Sequence, residues 1–260
     1  EEGYRHQPML PYAKRMLDRS GAEDTTAEEL KIEWYKLGTD FSFGVRDQLS
    51  SFGLNGLDEN LEPSLDLARR LLQSPGITAE KWNESKKIIL SERDDEQKDP
   101  RALSNALAHF HRYGEKSRFV DRPTDAELNA TTVDGLSEVL AGLLETKRTI
   151  LYYGPRSPEQ ILETIKEGFL SQEPTRTTES IPPNRSLSPD KSQVYFLQKE
   201  MAQAQVRLEF AVGLYDENKT PAGQLFNEYF GGGMAGLVFQ ELREARALAY
   251  SAWAHFFNPP

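Results

Sequence analysis

The chain has 260 residues, 38% of them hydrophobic and 28% charged, which fits one large or two modest globular domains and excludes disorder along the whole length. A formal net charge of −10 argues against nucleic acid as the main partner, because phosphate binding requires a basic face. With no cysteine, disulfides, thiolate zinc sites and cysteine nucleophiles are excluded, and no apolar run approaches the roughly 18 residues of a transmembrane segment.

In chain order, Met9 to Arg19 reads as a helix, and Thr25 or Thr26 caps a second near Ala27 to Leu37, with Glu28 and Glu29 in its first turn. Phe41, Phe43 and Val45 alternate, so Phe41 to Leu57 is expected to form two strands of a hairpin or meander. Leu61, Leu65, Ala68 and Leu72 share one helical face, and Ser74-Pro75-Gly76 stops that helix. Thr78 caps a helix carrying Trp82, Ile88, Ile89 and Glu92, and its charge run from Glu84 to Asp99 reads as a solvated face. Pro100 opens a helix through His109. A helix near Val133 to Leu144 leads into an apolar strand, Thr149 to Tyr153, ended by Gly154-Pro155, and Pro158 starts one more helix.

Ser171 to Ser192 has linker composition, with Pro174, Pro182, Pro183 and Pro189 among Ser, Thr and Arg. Val194 to Leu197 is then a strand. Val206, Leu208, Phe210, Val212 and Leu214 alternate with Gln205, Arg207, Glu209, Ala211 and Gly213, which points to a strand with one buried face. A helix from about Ala222 to Phe230, a Gly231-Gly232-Gly233 turn, a helix from about Leu237 to Ala247 and a strand beginning near Tyr250 complete the chain. His109 and His111, two apart in a helix, point to different faces. His255 is read as packed, in register with Trp253 and Phe257. The start at Glu1-Glu2-Gly3 and the stop at Asn258-Pro259-Pro260 lead to the expectation that this is part of a longer protein.

The run Phe226-Asn227-Glu228-Tyr229-Phe230-Gly231-Gly232-Gly233-Met234, followed by Leu237 to Glu244 and then Arg246-Ala247-Leu248-Ala249-Tyr250-Ser251, resembles a signature of the pitrilysin/insulinase family of zinc metallopeptidases, which includes mitochondrial processing peptidase. The resemblance implies an α+β fold of two domains. Each would be a pitrilysin/processing-peptidase-like roll, an antiparallel-rich sheet with helices on one face, truncated at both ends. Residues 1–170 would form a first metallopeptidase-like domain, 171–192 a linker, and 193–260 the start of a second.

The family's chemistry rests on His-x-x-Glu-His, whose two His share a helix face and bind one zinc, while the Glu activates the metal-bound water. Here the matching helix reads Pro11-Tyr12-Ala13-Lys14-Arg15, so Pro11 and Arg15 stand for the two His and Lys14 for the base. The family's downstream ligand survives in register as Glu92, 77 positions after Arg15. The residues themselves read Glu92 as a surface or salt-bridge group with Lys14 or Arg15 as partner. No metal site is therefore expected in this chain, and zinc is expected in a partner half.

The resemblance further implies that Arg243 and Tyr250, seven positions apart, reach substrate. Arg243 would hydrogen-bond the peptide backbone and Tyr250 would donate to the oxyanion. The plain reading of the same residues is a surface ion pair and a packed tyrosine. Gly231, Gly232 and Gly233 have two readings as well, substrate handling or a tight helix–helix turn. The implied function is the zinc-free half of a metalloendopeptidase, inactive alone, with a peptide as substrate. Its partner would be a zinc-bearing half of the same protein or a separate catalytic subunit. The alternative is a catalytically silent scaffold or binding subunit of a peptidase-like complex.

Overall fold

A computed structural model describes residues 2–168, 176, 181, 186–187, 191–200, 202–211, 213 and 215–257. The chain divides into two compact units, Glu1–Arg207 and Leu208–Pro260.

The first unit is built mainly of helices. Helix α1 (Leu10–Ser20) starts with Pro11 in its first turn, where the missing N–H costs nothing. It turns Leu10, Ala13, Met16 and Leu17 inward. Helix α2 (Ala27–Leu37) opens on a capping box in which the Thr26 hydroxyl accepts from the Glu29 N–H and the Glu29 carboxylate accepts from the Thr26 N–H. Strands β1 (Asp40–Val45) and β2 (Ser50–Asn55) follow as an antiparallel hairpin in the register Phe41↔Leu54 and Phe43↔Phe52. The Phe43 and Phe52 rings stack at 4.4 Å, and Trp34 stacks on Phe41 at 5.4 Å, tying α2 to the hairpin.

Helices α3 (Leu61–Gln73), α4 (Ala79–Glu96), α5 (Pro100–Tyr113), α6 (Asp125–Ala130), α7 (Val133–Gly142) and α8 (Pro158–Gly168) follow in the chain. Thr78, Asp99, Thr124 and Thr132 each cap the helix that follows by accepting a backbone N–H. Helix α1 packs on α4 and α7, and α3 packs on α7 and α8. The core gathers α1 residues, Leu67, Leu71 and Leu72 of α3, Trp82 and Ile89 of α4, and Leu136 and Leu140 of α7. Trp82 is fully enclosed and still satisfies its indole N–H, which donates to the Thr131 carbonyl at 2.9 Å.

Two arginines pin this unit, Arg93 buried and Arg156 half-buried. Arg93 on α4 donates to the Tyr12 hydroxyl at 2.8 Å, to the Pro123 carbonyl at 2.7 Å, and to Asp125. Arg156 grips Asp58 and Glu62, and the Tyr152 hydroxyl donates to Asp58 at 3.0 Å. The second of these corrects an expectation. Thr149 to Tyr153 is not a strand: Leu151 and Tyr153 stand in solvent, and the segment turns at Tyr152 into the Arg156 clamp.

The second unit holds a helix α9 (Thr220–Phe226) that widens into a π-type turn at Asn227–Gly231, then the glycine turn, then α10 (Leu237–Phe239), which widens likewise at Gln240–Glu244. The helix ends expected at Phe230 and Ala247 thus carry wider turns than an α-helix.

The α+β class holds, with helices dominant and one two-stranded antiparallel sheet among the described residues. The strands expected at Val194–Leu197, along Val206 to Phe210, and from Tyr250 onward join no ladder there. Val206, Leu208 and Phe210 are instead each about four-fifths exposed. Alternation settles which side chains go together, and a strand additionally requires a neighbour to take up its N–H and C=O groups. Val212 and Leu214, most of the Ser171–Ser192 linker including Pro174, Pro182, Pro183 and Pro189, and the Asn258-Pro259-Pro260 end lie outside the described residues. Among the described residues, no helix is long and apolar enough to cross a membrane.

Candidate functional site

Two places carry the sequence-derived candidates. The first is the exposed side of α1. Its inward residues fix the rotation of the helix, which leaves Pro11, Lys14 and Arg15 facing away from the core. Arg15 reaches α4 and holds Glu92 with both ends of its guanidinium, at 2.6 and 2.9 Å. Lys14 pairs one turn along its own helix with Asp18. Hydrogen bonding from Arg15 holds the Glu92 carboxyl below the usual carboxylate range, with a further contribution from the nearby positive charges.

This donor set does not fit zinc. A guanidinium already occupies both carboxylate oxygens, Pro11 has no side-chain donor, and Lys14 is a cation. Among the described residues, no three His, Cys, Asp or Glu side chains come together in a way that could hold a metal ion.

The second place is the junction after α10. The turn Gln240–Glu244 has the wide spacing of a π-helix, seen in the hydrogen bond from the Ala245 N–H to the Gln240 carbonyl at 2.9 Å. Ala247 then adopts φ 49°, the single non-glycine residue with positive φ among the described residues. Its N–H donates to the Arg243 carbonyl at 3.0 Å, and the Leu248 N–H to the Leu242 carbonyl at 2.9 Å, a Schellman-type ending widened by one residue. This reversal brings Tyr250 back to Arg243, whose guanidinium carbon lies 4.9 Å from the Tyr250 ring centre. The same carbon lies 4.7 Å from the Phe239 ring. Phe239 was missed in the sequence, although its four-residue spacing from Arg243 was the available signal. Glu244 approaches the Arg243 Nε only to 3.6 Å, and Tyr250 is 80% exposed.

The glycine turn is tightly built. A Cβ at Gly231 would collide with the Ala254 carbonyl, and Gly233 has φ 62°. Asn227 clasps the Phe256 backbone, accepting its N–H at 2.6 Å and donating to its carbonyl at 2.9 Å. That clasp fixes the facing of the last segment and corrects the reading of His255. Phe256 turns inward, while Trp253, His255 and Phe257 face solvent, with the His255 and Phe257 rings 6.3 Å apart. In the first unit, His109 and His111 go to separate aromatic neighbours, Tyr113 with Phe119 and Tyr195 respectively.

The helix-dominated α+β fold is similar to those of several solved structures. It is similar to the peptidase M16 inactive domain from Pseudomonas fluorescens, with TM-score 0.59 and 17% identity over 94% of this chain and 59% of that one. It is also similar to a protease from Helicobacter pylori, with TM-score 0.58 and 14% identity over 98% of this chain and 64% of the other. A conserved protein from Enterococcus faecalis V583 matches with TM-score 0.60 and 17% identity over 99% and 65%. At these identities the likeness is one of fold, and the chain spans between 59% and 65% of the length of these three structures. No curated protein sequence matches the chain. Residues 148–259 match the family model described as the peptidase M16 inactive domain. The resemblance to pitrilysin/insulinase-type peptidases in their non-zinc half therefore holds, and the matched range contains the glycine turn, Arg243 and Tyr250.

Proposed function

We propose that this chain is the zinc-free half of an M16-type metalloendopeptidase, lining the chamber in which a peptide is held and supplying Arg243 and Tyr250 to it. The observation that carries this reading is the Arg243–Tyr250 pair, brought to 4.9 Å by a strained reversal inside the segment that matches the inactive-domain family. Arg243 donates to a carbonyl of the extended peptide. Tyr250 donates its exposed hydroxyl to the oxyanion that forms when the scissile carbonyl is attacked, a contact that strengthens as charge develops. The zinc and the general base belong to a partner half, in the same protein or in a separate subunit. This chain alone is inactive.

In this reading residues 1–170 form a first metallopeptidase-like domain, 171–192 a linker and 193–260 the start of a second. Gly231, Gly232 and Gly233 border the substrate path, and the close approach of Gly231 to the Ala254 backbone supports a role in shaping the turn more than in touching peptide.

The test is kinetic, in the protein paired with its zinc-bearing half and given an internally quenched peptide. Arg243→Ala and Tyr250→Phe are each expected to lower kcat by about a hundredfold or more, the size seen when one oxyanion donor is removed. Unchanged turnover in both variants would sink the proposed role and leave the silent scaffold as the function.

A further inference from the structure

We propose that Phe239 is a positioning residue which holds the Arg243 guanidinium ready for the substrate, so that Phe239, Arg243 and Tyr250 work as one unit. This rests on the reading of Arg243 and Tyr250 just given and adds a residue to it.

The guanidinium carbon lies 4.7 Å from the Phe239 ring centre and 4.9 Å from that of Tyr250. Ring faces attract a cation while using none of its N–H donors. A carboxylate in the same position would consume those donors, as Glu92 does with Arg15. Among the described residues, the carboxylate facing Arg243 is Glu244, whose oxygen stays 3.6 Å from Nε. The side chain is thus held in place with its hydrogen-bonding capacity unspent. A long side chain held this way loses less rotamer freedom when a peptide binds, so more of the contact energy appears as binding.

The backbone supports the same arrangement. Phe239 is the last residue of α10 and Arg243 lies in the π-type turn that follows, where the extra residue changes the angle between successive side chains. Ala247 with its left-handed φ then returns Tyr250 to the guanidinium. Phe239 is only half-buried, so filling a core is not what it does for the fold.

The experiment is a double-mutant cycle in the full protein paired with its zinc-bearing half, using a mixture of internally quenched nonapeptides as probe. Phe239→Leu is expected to lower kcat/KM about fivefold, the scale of one cation–π contact. Phe239→Tyr restores it, because the ring face is kept. On an Arg243→Ala background, Phe239→Leu costs nothing further. In the isotope-labelled chain, the Arg243 Nε–Hε resonance moves towards its random-coil position in Phe239→Leu while the melting temperature stays the same. Should Phe239→Leu lower the melting temperature, Phe239→Met takes its place in the cycle. Equal losses from Phe239→Leu with and without Arg243 overturn the proposal and leave the Arg243 role standing, as does failure of Phe239→Tyr to restore activity. A silent Arg243→Ala overturns both.

Discussion

Arg15 and Arg243 both sit on helical turns of similar exposure, and their neighbours put them to opposite uses. Arg15 meets a carboxylate that takes both ends of its guanidinium, at 2.6 and 2.9 Å. Arg243 meets two aromatic rings, at 4.7 and 4.9 Å, and its adjacent carboxylate stays 3.6 Å away. The first arrangement closes a site and ties α1 to α4. The second fixes a cation while leaving it able to bind something else. The residue type alone does not tell an arginine whose donors are spent from one whose donors remain available; the hydrogen-bonding capacity of its neighbours does.

The largest effect expected bears on the Arg15 side. Trp82 anchors α4, the helix that presents Glu92, and Trp82→Ala should destabilise the fold by about 3–5 kcal/mol in a denaturant titration, the cost of emptying an aromatic core site. A loss under about 1 kcal/mol would mean that α4 is held by its polar contacts instead.

Next comes a direct contrast of the two arginines in the paired enzyme. Arg243→Ala should cost about 3 kcal/mol in transition-state stabilisation, whereas Arg15→Ala should leave kcat/KM within about a factor of two. Equal losses would erase the distinction.

A smaller effect is expected at Ala247. An L-residue in the left-handed region costs roughly 1–2 kcal/mol, part of which glycine recovers against its greater chain entropy. Ala247→Gly should therefore raise stability by about 0.5–1 kcal/mol, read as a shift of the thermal midpoint. A decrease would show that the conformation is unstrained.

The smallest effect concerns pH. The Glu92 carboxyl titrates below its usual range in the fold because Arg15 hydrogen-bonds its charged form. Its contribution is therefore complete above the unfolded pKa of about 4.3 and disappears as pH falls through the lower folded value. Both partners are partly exposed, so the contribution should be under about 1 kcal/mol. The stability gap between the parent and Arg15→Ala should close as pH drops below about 4. A gap that stays constant down to about pH 2 would assign it to packing of the arginine stem.

What could be read from the sequence was what depends on nearby residues. The span Ala27–Leu37, its Thr26 cap, the Thr78 cap, and Pro100 and Pro158 at helix starts all follow from chemistry within a few positions. The Phe41/Phe43/Val45 alternation located the hairpin because its partner strand lies next in the chain. Along Val206 to Phe210 the same alternation named a face and could not supply a neighbour. His255 lies on the opposite face from the expected one because the deciding clasp on Phe256 comes from Asn227, 29 residues before it. At the candidate site, family resemblance picked out Arg243 and Tyr250, and their approach depends on an alanine with positive φ that composition and periodicity do not reveal. The partnering of Arg15 with Glu92 across 77 positions was open to anticipation, since opposite charges stood at places the resemblance brings together.

The Arg15–Glu92 bridge also bears on how such a chain could change. Building a metal centre on α1 would require new side chains at Pro11, Lys14 and Arg15 together. Replacing Arg15 first leaves Glu92 without its counter-charge, while replacing the others first leaves a cation that repels an arriving divalent ion. Each single step is unrewarded, so the bridge works as a ratchet that keeps this face of α1 from taking a metal ion.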